Sequence, residues 1–141
     1  MGMKNVFYVK YLSDDVFKEI VADEDSIKLT RLDNDSPDAE ANPVLAAAHA
    51  YQIGASRDEI APQFHATAEL LARCPKLLVV SSNGAGYDTV DVDACTKAGV
   101  LVLNQAGGNA QSVAEHALGM MLTLSKRIVE VDKAMRRDGP F

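Results

Sequence analysis

Apolar and polar positions along this chain follow two periods, and the switches between them mark its elements. Asn5 to Tyr11 (NVFYVKY) is apolar and aromatic, the make-up of a first strand. Ser13-Asp14-Asp15 then caps a helix with acidic groups at its positive end, and Phe17, Ile20 and Val21 share its inward face. Ile27 to Leu32 alternates apolar with polar, which predicts a second strand with one face less buried. Ser36-Pro37 and Asn42-Pro43 each read as an N-cap followed by proline at the first helical position, leading into a short alanine-rich helix through His49. Ala50 to Ile53 is a brief third strand ending in Gly54-Ala55-Ser56. Pro62 cannot sit deep inside a helix, so the next helix is predicted to start there, run to Arg73 and be closed by Pro75.

The remaining pattern is concentrated between Leu77 and Gly119. Leu77-Leu78-Val79-Val80 is a continuous apolar run, as a strand buried on both faces requires. It breaks into Ser81-Ser82-Asn83-Gly84-Ala85-Gly86, whose small residues let backbone N–H groups approach a ligand. Asp91 is the N-cap of a short helix, and Gly99 supplies the left-handed residue that ends it. Val100 to Leu103 is a second buried strand, followed by a second small-residue loop, Asn104 to Asn109. Ser112-Val113-Ala114-Glu115 has the form of a capping box. From it one long amphipathic helix is predicted to reach about Arg137, with Ala114, Ala117, Leu118, Met121, Leu124, Ile128, Val131 and Met135 in a single apolar stripe.

Strands alternating with helices imply an α/β fold on a mostly parallel sheet. Five strands without a dinucleotide fingerprint predict a flavodoxin-like five-stranded parallel sheet of order 2-1-3-4-5, followed by a long C-terminal connecting helix. Two strands ending in small-residue loops beside a helix start form a ligand crevice at the carboxyl edge of such a sheet. Residues 1–111 are expected to make this domain and residues 112–141 the connecting helix. A flavodoxin would carry a phosphate loop after the first strand, where this chain has Leu12-Ser13-Asp14-Asp15. A phosphoacceptor receiver would close the third strand with aspartate, where this chain has Gly54.

Composition narrows the function. A net charge of −6 argues against nucleic acid or an anionic membrane as partner. No apolar run approaches the roughly 20 residues of a bilayer span, and no signal-peptide pattern opens the chain, so a cytoplasmic protein is expected. Cys74 and Cys95 have no metal spacing and read as reduced thiols. His49 and His65 lack ligand neighbours, so no metal site is expected. Glu115 reads as the capping partner of Ser112, and His116 faces elsewhere on the helix. Asp88 reads as a turn residue tied to nearby N–H groups. Gly84-x-Gly86 lacks the third glycine of a nucleotide fingerprint, position 89 being Thr89. Its consecutive N–H groups instead suit a carboxylate, held in a backbone nest without a charged side chain.

The run LLVVSSNGAGYDTVDVDACTKAGVLVLNQAGGNAQSVAEHAL resembles the substrate domain of the NAD-dependent D-2-hydroxyacid dehydrogenases, the family of phosphoglycerate, glycerate and D-lactate dehydrogenases. The resemblance extends over about Leu71 to Phe141 and is topological before that. Two positions depart from the family pattern: Ser82 stands where an arginine is common, and Ala106 where a proline is usual.

The resemblance implies that Ala85 and Gly86, with Gly84, hold the carboxylate of a small 2-hydroxy or 2-oxo acid, and that Ala55 and Ser56 line the same crevice. It implies that Asn104 and Ser112 face the nicotinamide side of NAD. The family's catalytic arginine, glutamate and histidine lie beyond the nucleotide fingerprint, so none is expected within residue 141. The chain is therefore read as the substrate domain and connecting helix, ending before a cofactor domain, with no NAD bound to it and no activity of its own. A homodimer through the 112–137 helix is expected. The alternative is a non-catalytic, protein-binding module of the dehydrogenase-like corepressor type.

Overall fold

The computed structural model describes residues 2–11 and 15–139 of the chain. Five strands form one all-parallel sheet of order β2-β1-β3-β4-β5, as the alternation of strands and helices predicts. The strands are β1 (Lys4–Val9), β2 (Ile27–Leu32), β3 (Ala50–Ile53), β4 (Val79–Ser82) and β5 (Leu101–Leu103). The α-helices are α1 (Asp15–Ala22), α2 (Asp38–Ala47), α3 (Ala68–Arg73), α4 (Val92–Lys97), α5 (Ala110–Ser125) and α6 (Ile128–Asp138). The chain divides into two compact units on either side of the Ala106–Gly107 bond.

In the first unit the register explains the core. Phe7 pairs with Tyr51, Tyr51 with Val80, and Val80 with Val102, so one row of side chains crosses the sheet on a single face. Phe7 and Tyr51 stack with ring centroids 4.1 Å apart. Leu45 of α2, Leu70 of α3 and Cys95 of α4 belong to the same buried cluster. The Tyr51 hydroxyl, which burial holds well above its usual pKa, donates to the Phe64 carbonyl at 2.9 Å, so this buried donor is paired. His49 Nδ1 accepts from the Asn5 N–H at 3.0 Å, which registers the start of β3 against β1.

Several expected elements shift for local reasons. The helix predicted from Pro62 to Arg73 is a 3-10 turn (Pro62–Phe64), an extended step and then α3. The step exists because fully buried Ala66 pairs with the loop after β4: its N–H donates to the Thr89 carbonyl at 2.9 Å, and its carbonyl accepts from the Asp91 N–H at 3.0 Å. Pro43 lies inside α2 rather than starting a helix, while the Ser36 hydroxyl closes a turn onto the Asp33 N–H. Strand β4 begins two residues later than its apolar run, leaving Leu78 exposed and taking in Ser81 and Ser82. β5 is an edge strand with Leu101 and Leu103 exposed, not a strand buried on both faces. In α1, Val21 is buried but Ile20 is exposed; the cap assigned to Ser13 and Asp14 lies outside the described residues.

The second unit holds two helices where one was expected. Arg127 adopts a left-handed conformation (φ 52°, ψ 38°) between α5 and α6. The Ser125 hydroxyl bonds back to the Leu122 carbonyl at 3.3 Å, and the Arg127 guanidinium pairs with Glu130 in the first turn of α6. The capping box is absent as well. Ser112 lies inside α5, whose N-cap is Asn109, and the Glu115 carboxylate accepts from Gln111 Nε2 at 2.9 Å instead. Val113, Leu118, Met121, Leu124, Ile128, Val131 and Met135 are all exposed.

Candidate functional site

The carboxyl ends of β3, β4 and β5 bring together most of the residues singled out from sequence. After β3, Gly54 is buried, and Ala55 and Ser56 are half-buried. After β4, the chain runs through Asn83, Gly84, Ala85, Gly86 and Tyr87 to the buried Thr89. The two loops are stitched to each other. Thr89 Oγ1 donates to the Gly54 carbonyl at 2.6 Å, the Asn83 N–H to the Ile53 carbonyl at 2.9 Å, and Arg57 Nε to the Asp88 carbonyl at 2.8 Å. The Ala55 methyl covers the glycines: a Cβ built on Gly84 would lie 3.4 Å from it, and one built on Gly86 3.7 Å.

The hydrogen bonding of the glycine loop is one-sided. The Gly84 carbonyl accepts from the Gln105 N–H at 3.0 Å. The Ala85 carbonyl accepts from Asn104 Nδ2 at 2.8 Å, and the Gly86 carbonyl from Ser82 Oγ at 2.6 Å. Among the described residues, no acceptor takes the N–H of Gly84, Ala85, Gly86 or Tyr87. Three consecutive carbonyls are thus satisfied while the neighbouring donors are not, an arrangement that suits a ligand carrying acceptor oxygens. At the root of the loop Asn83 Oδ1 accepts from Gln52 Nε2, and Asn83 Nδ2 is buried without a partner.

This geometry refines the reading from sequence. Neither Gly84 nor Gly86 has the positive φ of an alternating left-handed nest. What their lack of side chain provides is open backbone beside Ala55. Gln105, Ser82 and Tyr87 were not among the candidates. Ser82 closes β4 and is buried, which the sequence does not signal. Ser112 lies exposed in α5, in the other unit. The Asp88 carboxylate makes no hydrogen bond among the described residues; the backbone carbonyl of Asp88 makes the contact. A cavity of about 250 Å³ beside the loop is lined by Arg57, His65 and Thr67, but Asp88 and Asp91 line it too and offset the cation.

The rest of the unit offers little other chemistry. His65 Nε2 is 2.9 Å from the Ile60 carbonyl. Cys74 and Cys95 are free and buried; burial pushes the Cys74 thiol up to about 11 and raises that of Cys95, so both stay protonated near neutrality. Among the described residues no group of three or more metal-ligating side chains occurs, and no helix is long and apolar enough to cross a membrane. The loop after β4 does not fit a dinucleotide diphosphate. Its helix α4 has six residues, and the Asp91 carboxylate caps it by accepting the Ala94 N–H at 2.9 Å, placing negative charge where a diphosphate would sit.

Comparison with known proteins places this fold and loop in a family. Residues 10–135 match the model of the D-isomer specific 2-hydroxyacid dehydrogenase catalytic domain. The chain belongs to that family. It is 51% identical over 69 residues to the D-3-phosphoglycerate dehydrogenase of Mycobacterium leprae, covering 49% of this chain and 13% of that protein. It is 39% identical over 75 residues to the human enzyme of the same name, covering 53% of this chain and 14% of that protein. The chain thus spans about an eighth of these curated relatives. A D-lactate dehydrogenase from Aquifex aeolicus, solved with NAD and lactic acid, superposes with a TM-score of 0.70 at 27% identity, over 94% of this chain and 37% of its own. A 2-hydroxyacid dehydrogenase from Ketogulonicigenium vulgare shares the fold, with a TM-score of 0.75 at 24% identity, over 99% of this chain and 41% of its own.

The backbone angles make a stability prediction that separates two kinds of glycine. Gly99 has φ +72°, so Gly99→Ala should cost about 1 kcal/mol or more. Gly84→Ala and Gly86→Ala should stay within about 0.5 kcal/mol of the parent in urea unfolding. A loss above about 1 kcal/mol at either loop position would show that the loop needs glycine for its conformation.

Proposed function

We propose that this chain is the substrate-binding portion of an NAD-dependent oxidoreductase acting on the CH–OH group of small D-2-hydroxy acids, of the phosphoglycerate dehydrogenase kind. The observation that carries the proposal is the glycine loop, whose carbonyls are all engaged and whose N–H groups are not. In this reading the N–H groups of Ala85 and Gly86, with Gly84 beside them, hold the substrate carboxylate, and Ala55 and Ser56 form the facing wall. Neutral donors at a sheet edge bind an acid without the desolvation cost of burying a lysine. Asn104 and Ser112 are the residues proposed to face the nicotinamide side.

NAD is read as a cofactor of the whole protein, held outside this chain; the loop after β4 does not fit its diphosphate. No residue of the chain is assigned to hydride or proton transfer. Residues 1–111 are taken as the substrate domain and 112–141 as the connecting segment. The exposed apolar side chains of α5 and α6 support pairing of two copies through these helices, since soluble monomers rarely leave such a patch uncovered.

An NMR titration with oxalate or glyoxylate tests the site. We expect a dissociation constant in the millimolar range, roughly 4 kcal/mol, with the amides of Ala85 and Gly86 moving first. With NADH added, oxidation of the cofactor by glyoxylate should stay at the blank rate. Shifts confined to other amides would refute the site, and turnover above the blank would refute the assignment of catalysis to residues outside the chain. Sedimentation equilibrium tests the pairing. A dimer that Ile128→Glu/Val131→Glu converts to monomer is expected, and a parent monomer at high concentration would contradict it.

A further inference from the structure

The one-sided bonding of the glycine loop bears on residues around Gly84, Ala85 and Gly86. In a trans peptide the C=O of one residue and the N–H of the next point in opposite directions, and all described peptides here are trans. Fixing a carbonyl therefore aims the following N–H. The Gly84 and Ala85 carbonyls both turn towards the segment after β5, one to the Gln105 N–H and the other to Asn104 Nδ2. The N–H groups of Ala85 and Gly86 must then both point away from that segment, side by side. The Gly86 carbonyl turns back to Ser82 Oγ at the end of β4, which directs the Tyr87 N–H away from the sheet. The aimed donors are thus those of Ala85, Gly86 and Tyr87; the direction of the Gly84 N–H is set by no such tether.

Building on the carboxylate-binding reading above, we infer that Asn104 and Ser82 are positioning residues for the loop, and that Tyr87 contributes the third N–H to the acid. Ser82 is suited to this work because it is 1% exposed at the last position of β4, where its hydroxyl is shielded from competing water. Asn104 directly follows β5, so its tether carries the position of the edge strand to the loop. The loop then owes its shape to two side chains and one backbone N–H from neighbouring strand ends, not to left-handed glycines.

The test is oxalate affinity in the 141-residue chain, read beside thermal stability. Asn104 is exposed, so Asn104→Ala should leave the melting midpoint close to that of the parent. It should weaken oxalate roughly three- to ten-fold, the fold-change expected for losing one neutral hydrogen bond. Ser82→Ala should weaken oxalate similarly, and Ser82→Thr, which keeps the hydroxyl, should recover most of the loss. In the parent, the Tyr87 amide should shift together with those of Ala85 and Gly86. Parent-like affinity in both alanine variants, with the parent binding at this loop, overturns the positioning roles alone. A parent that binds no oxalate overturns the carboxylate-binding reading and this inference with it.

Discussion

A peptide unit offers a donor on one side and an acceptor on the other, and the site described here depends on spending only one of them. The loop after β4 commits three consecutive carbonyls to Gln105, Asn104 and Ser82, and leaves the adjoining N–H groups without acceptors. Unpaired backbone donors are costly when buried and tolerable at a surface, which is where this loop lies: Ala85, Gly86 and Tyr87 are exposed. In the proposed role, a loop tethered in this way would need little rearrangement to receive an acid, so less binding free energy would be lost to ordering it.

The tethers depend in turn on the parallel sheet. Strands β3, β4 and β5 are neighbours that all end at the same edge, so their loops leave side by side and can bond to one another. Thr89 to Gly54 and Asn83 to Ile53 tie the β4 loop to β3, while Gln105 and Asn104 tie it to β5. Ala66 adds a third side, and it costs the chain a continuous helix after Pro62 to do so. Local helical preference gives way there to pairing that fixes the far end of the site loop, a tertiary requirement overriding a local one.

That override also explains what could be read from the residues alone. The alternation of strand and helix, the Asp91 cap and the left-handed Gly99 each follow from signals local to a few residues, the sheet order follows from the count and spacing of the strands, and each is present. The loop residues Ala55, Gly84, Ala85 and Gly86 come together because the strand order puts their strands side by side. One failure lies where a distant group decides. The step at Ala66 needs the loop at Thr89, twenty-three residues on. The turn at Arg127 breaks a stripe whose spacing runs through it undisturbed, because spacing reports which residues share a face and not backbone direction. Ser112 and Glu115 have the right types at the right interval for a capping box, yet the helix starts at Ala110, so the pair falls inside it. The tethers from Ser82 and Asn104 to backbone carbonyls carry no pattern in one dimension.

Amide hydrogen exchange at single residues tests the central claim most directly, because it reads whether the loop donors are spent. In the free chain the amides of Ala85, Gly86 and Tyr87 should exchange at rates near those of an unprotected peptide, although the strand residue Val80 just before the loop is fully buried and should be protected. Saturating oxalate should slow all three loop amides. Protection of these amides already in the free chain, or no slowing with oxalate at saturation, would contradict the account.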